Sequence, residues 1–352
     1  MSGRTVSIVI PAYNCAKTLR ACLASAYAQS HRPVEVVVVD DASTDATAVI
    51  AAEFDCRLIR LSVNGGVSAA RNAGAAASAG EVLFFVDSDG ALHPGAVAAA
   101  LAELDAHPEC GCVMGVYEPW PLIDDGPIEQ YRALHTHWGM ARITGETQTS
   151  SFALTAVPRA VYDTVGPFDE SLRTAEDDDY SERLLPVCTI RVAPAVTGRH
   201  DDVDSLRTLL AEQFHRSQLL LFSVRNRYRR QSMRFNSTGG VLLAGLTAAT
   251  LPLGLAWTPL WFVPLLCFAA FSVANPQLSA FAWRLRGPGF VVFFTAVHLL
   301  VNVALLAGLL WGLARVVTGA DFGPRRRRAP SPAIQPNAVN PNPNRVERQA
   351  SS

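Results

Sequence analysis

The chain has 352 residues, 49% of them hydrophobic, and a formal net charge of −1 at neutral pH. This length allows one large domain or two smaller units, and the near-neutral charge predicts no nucleic-acid partner. The N-terminus lacks a basic segment followed by a long apolar run, so we expect no signal peptide. The seven cysteines are scattered without metal-ligand spacing, which indicates reduced core residues.

Short apolar, β-branched runs alternate with Ala-rich stretches over the first 200 residues. The runs predict buried strands at TVSIVI (5–10), VEVVVVD (34–40), CRLIRL (56–61) and EVLFFVD (81–87). The Ala-rich stretches predict helices over 16–29, 43–54, 66–80 and 93–108. Ser43 or Thr44 is a suitable N-cap for the second of these helices. This alternation predicts an α/β fold with a mostly parallel sheet flanked by helices, whose ligands collect at the carboxyl ends of the strands.

The segment 118–150 is rich in Pro, Gly, His and Trp. We expect it to be irregular and to form an insert that faces an acceptor. SSFALTAV (150–157) predicts a further strand. PRAVYDTVGPFDE (158–170) and AEDDDYSERLL (175–185) then predict a helix, a turn and a second helix.

The sequence becomes largely apolar and uncharged after Asn236. No charged residue occurs until Arg284, and a second uncharged stretch runs from Gly287 to Ala314. A membrane-spanning helix needs about 20 apolar residues, so the second stretch fits one span. The first, roughly 239–275, is long for one span and tight for two. The distribution of arginines favours two spans in total and the length of the first stretch favours three, so both topologies stay open.

These patterns divide the chain into four predicted regions. We expect an α/β domain over 1–210, a basic juxtamembrane helical segment over 211–236, a transmembrane region over 237–318 and a disordered tail over 319–352. The basic segment holds six arginines and no acid between Arg216 and Arg234.

Two acidic clusters follow predicted strands. Asp40 and Asp41 end VVVVD and begin the next turn, and Asp87-Ser88-Asp89 ends VLFFVD. Both clusters would lie at the carboxyl edge of a parallel sheet and face one crevice. Carboxylates there suit Mg²⁺ or Mn²⁺, which prefer oxygen ligands and commonly keep a bound phosphate. The pattern therefore predicts a site for a metal ion and a diphosphate.

Six motifs in sequence order carry a family resemblance. VSIVIPAYN, VVVVDDASTD, NGGVSAARNAG, FFVDSDG, VGPFDE and AEDDDYSERL resemble the inverting nucleotide-sugar glycosyltransferases of family 2, which have the GT-A fold. The resemblance covers roughly residues 5–190. It implies a nucleotide-diphosphate sugar donor, Mn²⁺ or Mg²⁺ as cofactor, and inversion at the anomeric carbon. The α/β domain would then be the catalytic domain.

The resemblance also implies roles for single residues at the donor end of the site. Asp89 matches the direct metal ligand, and His200 is a further candidate ligand. The ring of Tyr13 would stack on the nucleobase, and Asp87 would contact ribose or the donor sugar. The residues matched to nucleotide binding are Pro11, Ala12, Tyr13, Asp40, Asp41, Arg71, Asn72 and Asp87.

The acidic motif AEDDDYSER matches the acceptor end of the family's site. Asp177 corresponds to the general base that takes the proton of the acceptor hydroxyl. Glu176, Asp179 and Arg183 would support it, with Arg183 pairing Asp179 at i,i+4. Asp178 has no matching role, and we expect it to be exposed.

The leading hypothesis is an inverting, metal-dependent glycosyltransferase anchored in the cytoplasmic (inner) membrane, with its catalytic domain facing the cytoplasm. It would transfer a sugar to a hydroxyl of a lipid-linked or cell-envelope glycan. No Q-x-x-R-W element follows the acidic motif, so we expect one or a few transfers rather than a long polymer. The basic RNRYRR (225–230) could bind membrane lipid headgroups or a lipid pyrophosphate, or act only as a topology signal.

Three alternatives differ in what they require of the chain. A polyprenyl-phosphate sugar synthase has an acceptor that is already ionised and needs no base, which the complete Glu-Asp motif disfavours. A non-catalytic nucleotide-sugar binder is disfavoured by the combination of donor, metal and base motifs. A signalling receiver domain needs a lysine on a later strand, and the only lysine, Lys17, lies too early.

Overall fold

The computed structural model describes residues 3–225 and 236–318, and for 219–225 it describes the backbone alone. These residues form two compact units. The first comprises 3–118 and 143–201, and the second comprises 119–142, 202–225 and 236–318. Residues 226–235 of the predicted basic juxtamembrane segment and the whole predicted disordered tail, 319–352, lie outside the described residues.

The first unit is built on one nine-stranded sheet. Its strands follow the order β3-β2-β1-β4-β8-β6-β9-β5, and β7 pairs with β9. The four strands β3, β2, β1 and β4 are parallel to one another, whereas β8 runs antiparallel to both β4 and β6. The strands are β1 (Val6–Ala12), β2 (Glu35–Asp40), β3 (Arg57–Arg60), β4 (Val82–Val86), β5 (Gly90–Leu92), β6 (Cys110–Tyr117), β7 (Gly145–Thr147), β8 (Leu154–Pro158) and β9 (Thr189–His200).

Helices connect the parallel strands, so the predicted α/β fold is confirmed. Small residues let them approach the sheet closely: a Cβ atom on Gly74 would collide with the side chain of Val9 in the central strand. The helices of this unit are α1 (Leu19–Tyr27), α2 (Thr47–Ala52), α3 (Val67–Ala77), α4 (Ala96–Ala106), α6 (Arg159–Val165) and α7 (Glu176–Leu184). The helix α5 (Pro127–Ala141) belongs to the second unit.

Three local predictions are wrong for physical reasons. The N-cap of α2 is Ala46, and neither Ser43 nor Thr44 caps it; the carboxylate of Asp45 instead accepts from the backbone N–H of Thr47 at 2.9 Å. The strand β3 is half-exposed rather than buried, because it lies at the edge of the sheet. The segment predicted to be irregular contains the 15-residue helix α5, whose first residue is Pro127.

The second unit is helical. Its core joins apolar side chains of α5, α8, α11 and α12, among them Tyr131, Leu209, Leu278 and Phe294. Burial against these partners stabilises α5 although its own sequence is a poor helix signal. The remaining helices are α8 (Leu206–Arg225), α9 (Thr238–Ala256), α10 (Phe262–Val273), α11 (Pro276–Arg286) and α12 (Pro288–Val317).

Two of these helices, α9 and α12, are long and apolar enough to cross a membrane. A third crossing arises only if Thr258–Val273 and Pro276–Arg286, which are bent by 72°, together count as one span. The first apolar stretch is broken at Trp257–Trp261, which explains why its length alone did not settle the number of membrane spans.

Candidate active site

The central strand β1 brings the predicted donor residues to one edge of the sheet. Ala12, the last residue of β1, lies opposite Asp40 of β2. On the other side Val9 lies opposite Phe85, so Asp87 follows the end of β4 at the same edge. The two acidic clusters therefore flank the end of β1, as expected from a parallel sheet.

The nucleotide-side residues differ in exposure. Pro11 and Ala12 are buried in β1, whereas Tyr13 is 51% exposed. Asp40 is buried; its carboxylate accepts from Ser43 N at 2.9 Å and pairs with Arg60 Nε at 3.3 Å. Tyr13 is thus the member of this group with a surface that a planar ligand can cover.

Asp41 organises the glycine loop that precedes α3. Its carboxylate accepts from Gly65 N at 2.5 Å and from Gly66 N at 2.7 Å. Gly66 has φ +86°, a left-handed conformation that favours glycine. The predicted nucleotide-contacting carboxylate therefore also fixes the backbone of the NGG turn.

Arg173 is a site residue that motif matching missed. Its guanidinium donates to Asn64 Oδ1 at 2.9 Å and to Asn64 O at 3.2 Å, which ties the segment before α7 to the NGG turn. A basic residue three positions before the acidic run is the available sequence signal, but its partner lies 109 residues away.

Arg71 joins the predicted donor end of the site to the predicted acceptor end. Its side chain is 2% exposed, and its guanidinium donates to Asp87 Oδ1 and to Asp177 Oδ1, both at 3.0 Å. Glu176 Oε1 lies 3.9 Å away, and the Phe168 ring centroid lies 5.5 Å from Cζ. One buried cation thus holds three carboxylates from two separate motifs together.

Asp177 and Asp87, the two carboxylates that accept from Arg71, bind protons more tightly than usual. The pKa of Asp177 is raised to about 7: burial raises it most, Arg71 lowers it, and the negative charges of Glu176 and Asp87 add to the rise. Burial likewise raises the pKa of Asp87 against the effect of Arg71. About a third of the Asp177 side chain is still exposed, so it can reach an acceptor from solvent.

Asn72, predicted to lie near the nucleotide, bonds to the segment around the GPFDE turn. Its amide nitrogen donates to Phe168 O and Glu170 Oε1, and its amide oxygen accepts from Tyr162 Oη and Phe168 N. All of these groups belong to the chain. The side chain therefore holds the GPFDE turn against α3.

The acidic helix α7 is fixed at both ends. Its N-cap, Ala175, has φ +64°, and four acids occupy the first turn, where the helix dipole favours negative charge. Tyr180 is buried and stacks on Phe168 at 4.0 Å between ring centroids. The carboxylate of Asp179 pairs with Arg183 at 3.1 Å, so the predicted i,i+4 pair is confirmed.

One prediction on this helix is wrong. Asp178 is half-buried rather than exposed, and it interacts with other residues.

Asp89 and His200 come together at the start of β5 and the end of β9. Gly90 pairs with His200 in the antiparallel ladder, and His200 Nε2 lies 3.3 Å from Asp89 Oδ1. The Asp89 Oδ1 atom is buried and has no hydrogen-bond partner among the described residues. A carboxylate oxygen and an imidazole nitrogen at this separation suit Mn²⁺, so the residues fit the divalent metal that the family implies.

Lys17 and Tyr117 support this pair. The ring of Tyr117 packs against the His200 ring with centroids 4.9 Å apart. Lys17 Nζ contacts both carboxylate oxygens of Asp201, at 3.0 and 2.9 Å, and Asp201 N donates to Asp89 O at 2.8 Å. The loop after β1 is thereby tied to the candidate metal pair.

The comparisons with known proteins agree with this geometry. The model of the family "Glycosyl transferase family 2" matches residues 7–156. This segment, 150 of the chain's 352 residues, is similar to glycosyl transferase family 2. The family 2 segment includes the Tyr13, Asp40, Arg71 and Asp87 positions, and α7 follows it in the chain.

Two named proteins are similar to parts of the chain. The chain is 42% identical over 88 residues to glycosyltransferase GlyA of Streptococcus pneumoniae, and 44% identical over 104 residues to the succinoglycan biosynthesis protein ExoO of Rhizobium meliloti. These matches cover 24% and 29% of this chain, and 13% and 30% of the relatives. The chain therefore spans less than a third of the length of either relative.

A solved structure shares the fold. The mannosyltransferase PcManGT of Pyrobaculum calidifontis, solved with GDP-Man and Mn²⁺, superposes with a TM-score of 0.54 at 21% identity and covers 88% of each chain. The family 2 domain of this chain thus has a GT-A-like α/β fold.

Proposed function

We propose that this chain is an inverting glycosyltransferase that moves a sugar from a nucleotide-diphosphate sugar to a hydroxyl of a lipid-linked or cell-envelope glycan. The observation that carries the proposal is the buried Arg71, which holds the donor-side Asp87 and the acceptor-side Asp177 within 3.0 Å of one guanidinium. The names of ExoO and PcManGT support a polysaccharide-related acceptor and a nucleotide-sugar donor.

Asp177 acts as the general base in this proposal. A sugar hydroxyl is a weak nucleophile, and a carboxylate with a pKa of about 7 is basic enough to take its proton while remaining partly ionised near neutral pH. The acceptor oxygen attacks the anomeric carbon from the face opposite the diphosphate, which inverts the configuration. Arg71 holds the base in position, and the Asp179–Arg183 pair holds its helix.

Asp89 and His200 would hold Mn²⁺ or Mg²⁺. When bound, the metal would supply Lewis-acid neutralisation of charge on the departing diphosphate. Tyr13 would stack on the base, and Asp87 would accept hydrogen bonds from ribose or the donor sugar. Asp201 and Lys17 keep the ligand pair in place through the backbone of Asp89.

A donor panel tests the proposal directly. Membranes containing the full chain are incubated with different nucleotide sugars and Mn²⁺, and sugar release and transfer are measured. We expect turnover of at least one nucleotide-diphosphate sugar, with an inverted anomeric configuration in the product. Retained configuration, or no turnover of any donor that binds, would contradict the proposal; the second result would leave a non-catalytic nucleotide-sugar binder.

The acceptor class needs its own comparison. A polyprenyl-phosphate sugar synthase would transfer to polyprenyl phosphate as sole acceptor and would not need Asp177, because a phosphate is already ionised. We expect transfer to a hydroxyl-bearing glycan instead, with loss of the reaction when Asp177 is replaced. The proposed location is the cytoplasmic membrane with the catalytic domain on the cytoplasmic side, supported by the apolar helices α9 and α12.

Replacing Tyr13 by alanine is expected to weaken nucleotide binding by about tenfold, because stacking of a base on an aromatic ring contributes about 1–3 kcal/mol. Tyr13→Phe keeps the ring and should bind like the wild type. Isothermal titration with the nucleoside diphosphate measures both. Equal affinities of the alanine variant and the wild type would remove Tyr13 from the base site.

Replacing a metal ligand is expected to weaken Mn²⁺ binding. Asp89→Asn and His200→Ala should each lower Mn²⁺ affinity at least about tenfold. The bound ion is measured by electron paramagnetic resonance on the purified full chain, independently of transfer. Asp105→Asn, which removes a surface carboxylate paired with Arg4, is the matched control. A wild-type Mn²⁺ affinity in the His200 variant would show that His200 is not a ligand.

A further inference from the structure

The helix α11 has the dimensions and composition of an interfacial helix. Its 11 residues extend about 16 Å, too short for a hydrocarbon core about 30 Å thick. It is bent by 72° from the preceding apolar segment, and Gly287, with φ +81°, separates it from α12. By itself it is therefore too short to cross the membrane, and it would take part in a span only together with the preceding apolar segment.

The faces of α11 differ in chemistry. Leu278 and Ala282 are buried in the apolar core of the second unit, and Phe281 and Leu285 pack against the same core. On the other side Trp283 is 57% exposed. Tryptophan is enriched where a protein meets the headgroup region of a membrane, so this face suits the interface between lipid and water.

Arg286 is held at the end of α11 by aromatic rings. Its Cζ lies 4.5 Å from the centroid of the Trp120 ring and 5.7 Å from that of Phe290. Rings occupy the faces of a guanidinium and leave its N–H donors, which lie in the plane, available for hydrogen bonds. The Nε atom of Arg286 is buried and has no hydrogen-bond partner among the described residues.

The helices α9 to α12 offer no counterion for this arginine. No aspartate or glutamate lies between Glu212 and Asp321, so the helices α9 to α12 carry no carboxylate. Arg284, two residues before Arg286, adds a second positive charge on the last turn. A positive site at a membrane interface, framed by tryptophan, is complementary to a lipid phosphate, which a guanidinium binds through two parallel hydrogen bonds.

We propose that Arg286, framed by Trp120 and Phe290, binds the phosphate of an anionic phospholipid at the membrane interface. The site is distinct from the basic RNRYRR segment and does not depend on the proposed sugar transfer. It would fix α11, and with it the turn between α10 and α12, at the depth of the lipid headgroups.

Lipid retention by the purified full chain tests this site. The protein is extracted from vesicles of equal parts phosphatidylglycerol and phosphatidylcholine, and the retained lipids are counted by native mass spectrometry. We expect wild-type protein to retain phosphatidylglycerol preferentially. Arg286→Gln should lower that preference by about tenfold, the effect of losing hydrogen bonds to a charged group. Addition of inorganic phosphate should not release the lipid.

Arg284→Gln is the matched control, because it removes the same charge from the same turn without touching the aromatic frame. We expect it to change the preference only a few-fold. Equal losses in the two variants would mean that the helix attracts anionic lipid by charge alone, and the site would be refuted. Trp120→Leu keeps both arginines but removes one ring of the aromatic frame, and it should also lose the preference. Wild-type lipid retention by this variant would refute the role of the aromatic frame, even if Arg286→Gln does not fold.

Discussion

Asp177→Asn is expected to lower the rate of sugar transfer at least about 100-fold while leaving donor affinity nearly unchanged. Asparagine keeps the shape of the side chain but cannot take a proton, and general base catalysis contributes about 10²–10⁴-fold. The measurement is a comparison of kcat for transfer with the Kd of the donor. Asp178→Asn, the neighbouring acid on the same turn, is the matched control and should retain near-wild-type transfer.

The wild-type rate should also depend on pH in a defined direction. The base works only when ionised, and burial raises the pKa of Asp177 to about 7. Transfer should therefore rise as the pH increases through about 7 and fall as the pH decreases below it. The asparagine variant should lose this step. A variant with normal transfer, or with the same pH step as the wild type, would exclude Asp177 as the base.

Arg71→Gln is expected to destabilise the first unit by about 3 kcal/mol, because it leaves Asp87, Asp177 and Glu176 together without their buried cation. Breaking a buried ion pair by removing one partner costs about 3–5 kcal/mol, and the lower end applies since the carboxylates are partly exposed. Thermal unfolding of the purified chain measures the loss. The loss should shrink at acidic pH, because protonated carboxylates no longer repel one another.

The same substitution should move the pH dependence of transfer. Arg71 holds the pKa of Asp177 below the value that burial and its acidic neighbours would otherwise set. Without the guanidinium the proton binds more tightly, so the rate should rise only at a higher pH than in the wild type. Arg71→Lys keeps the charge but loses the fork that spans two carboxylates. Its pH profile should lie between those of the wild type and Arg71→Gln. An unchanged pH profile in both variants would show that Arg71 has a purely structural role.

The sequence predicted the elements that local patterns define. The β-branched runs before Asp40 and Asp87 are the strands β2 and β4, and their acids flank the end of β1 because parallel strands share a carboxyl edge. The Ala-rich segments are helices, as their local composition predicted. The helix α5 was missed because its stability comes from burying Tyr131 and Leu134 in the second unit rather than from its own composition.

The arrangement inside the site could not be read from local patterns. Arg71 meets Asp177 across 106 residues, and Arg173 meets Asn64 across 109. Motif spacing indicates that such residues belong to a site but not which pairs touch. The family resemblance supplied roles for Asp177 and Asp89, whereas the single cation between Asp87 and Asp177 is visible only in the fold.

The ion pair between Lys17 and Asp201 has a practical consequence. Lys17 is the only lysine in the chain, and its side chain is 48% exposed. An amine-directed fluorophore or crosslinker therefore labels a single lysine side chain without any prior mutagenesis. Lys17 contacts Asp201, whose backbone N–H donates to Asp89 O. The native chain thus carries one side-chain amine beside its candidate metal pair, and the α-amino group is the other amine that such a reagent would label.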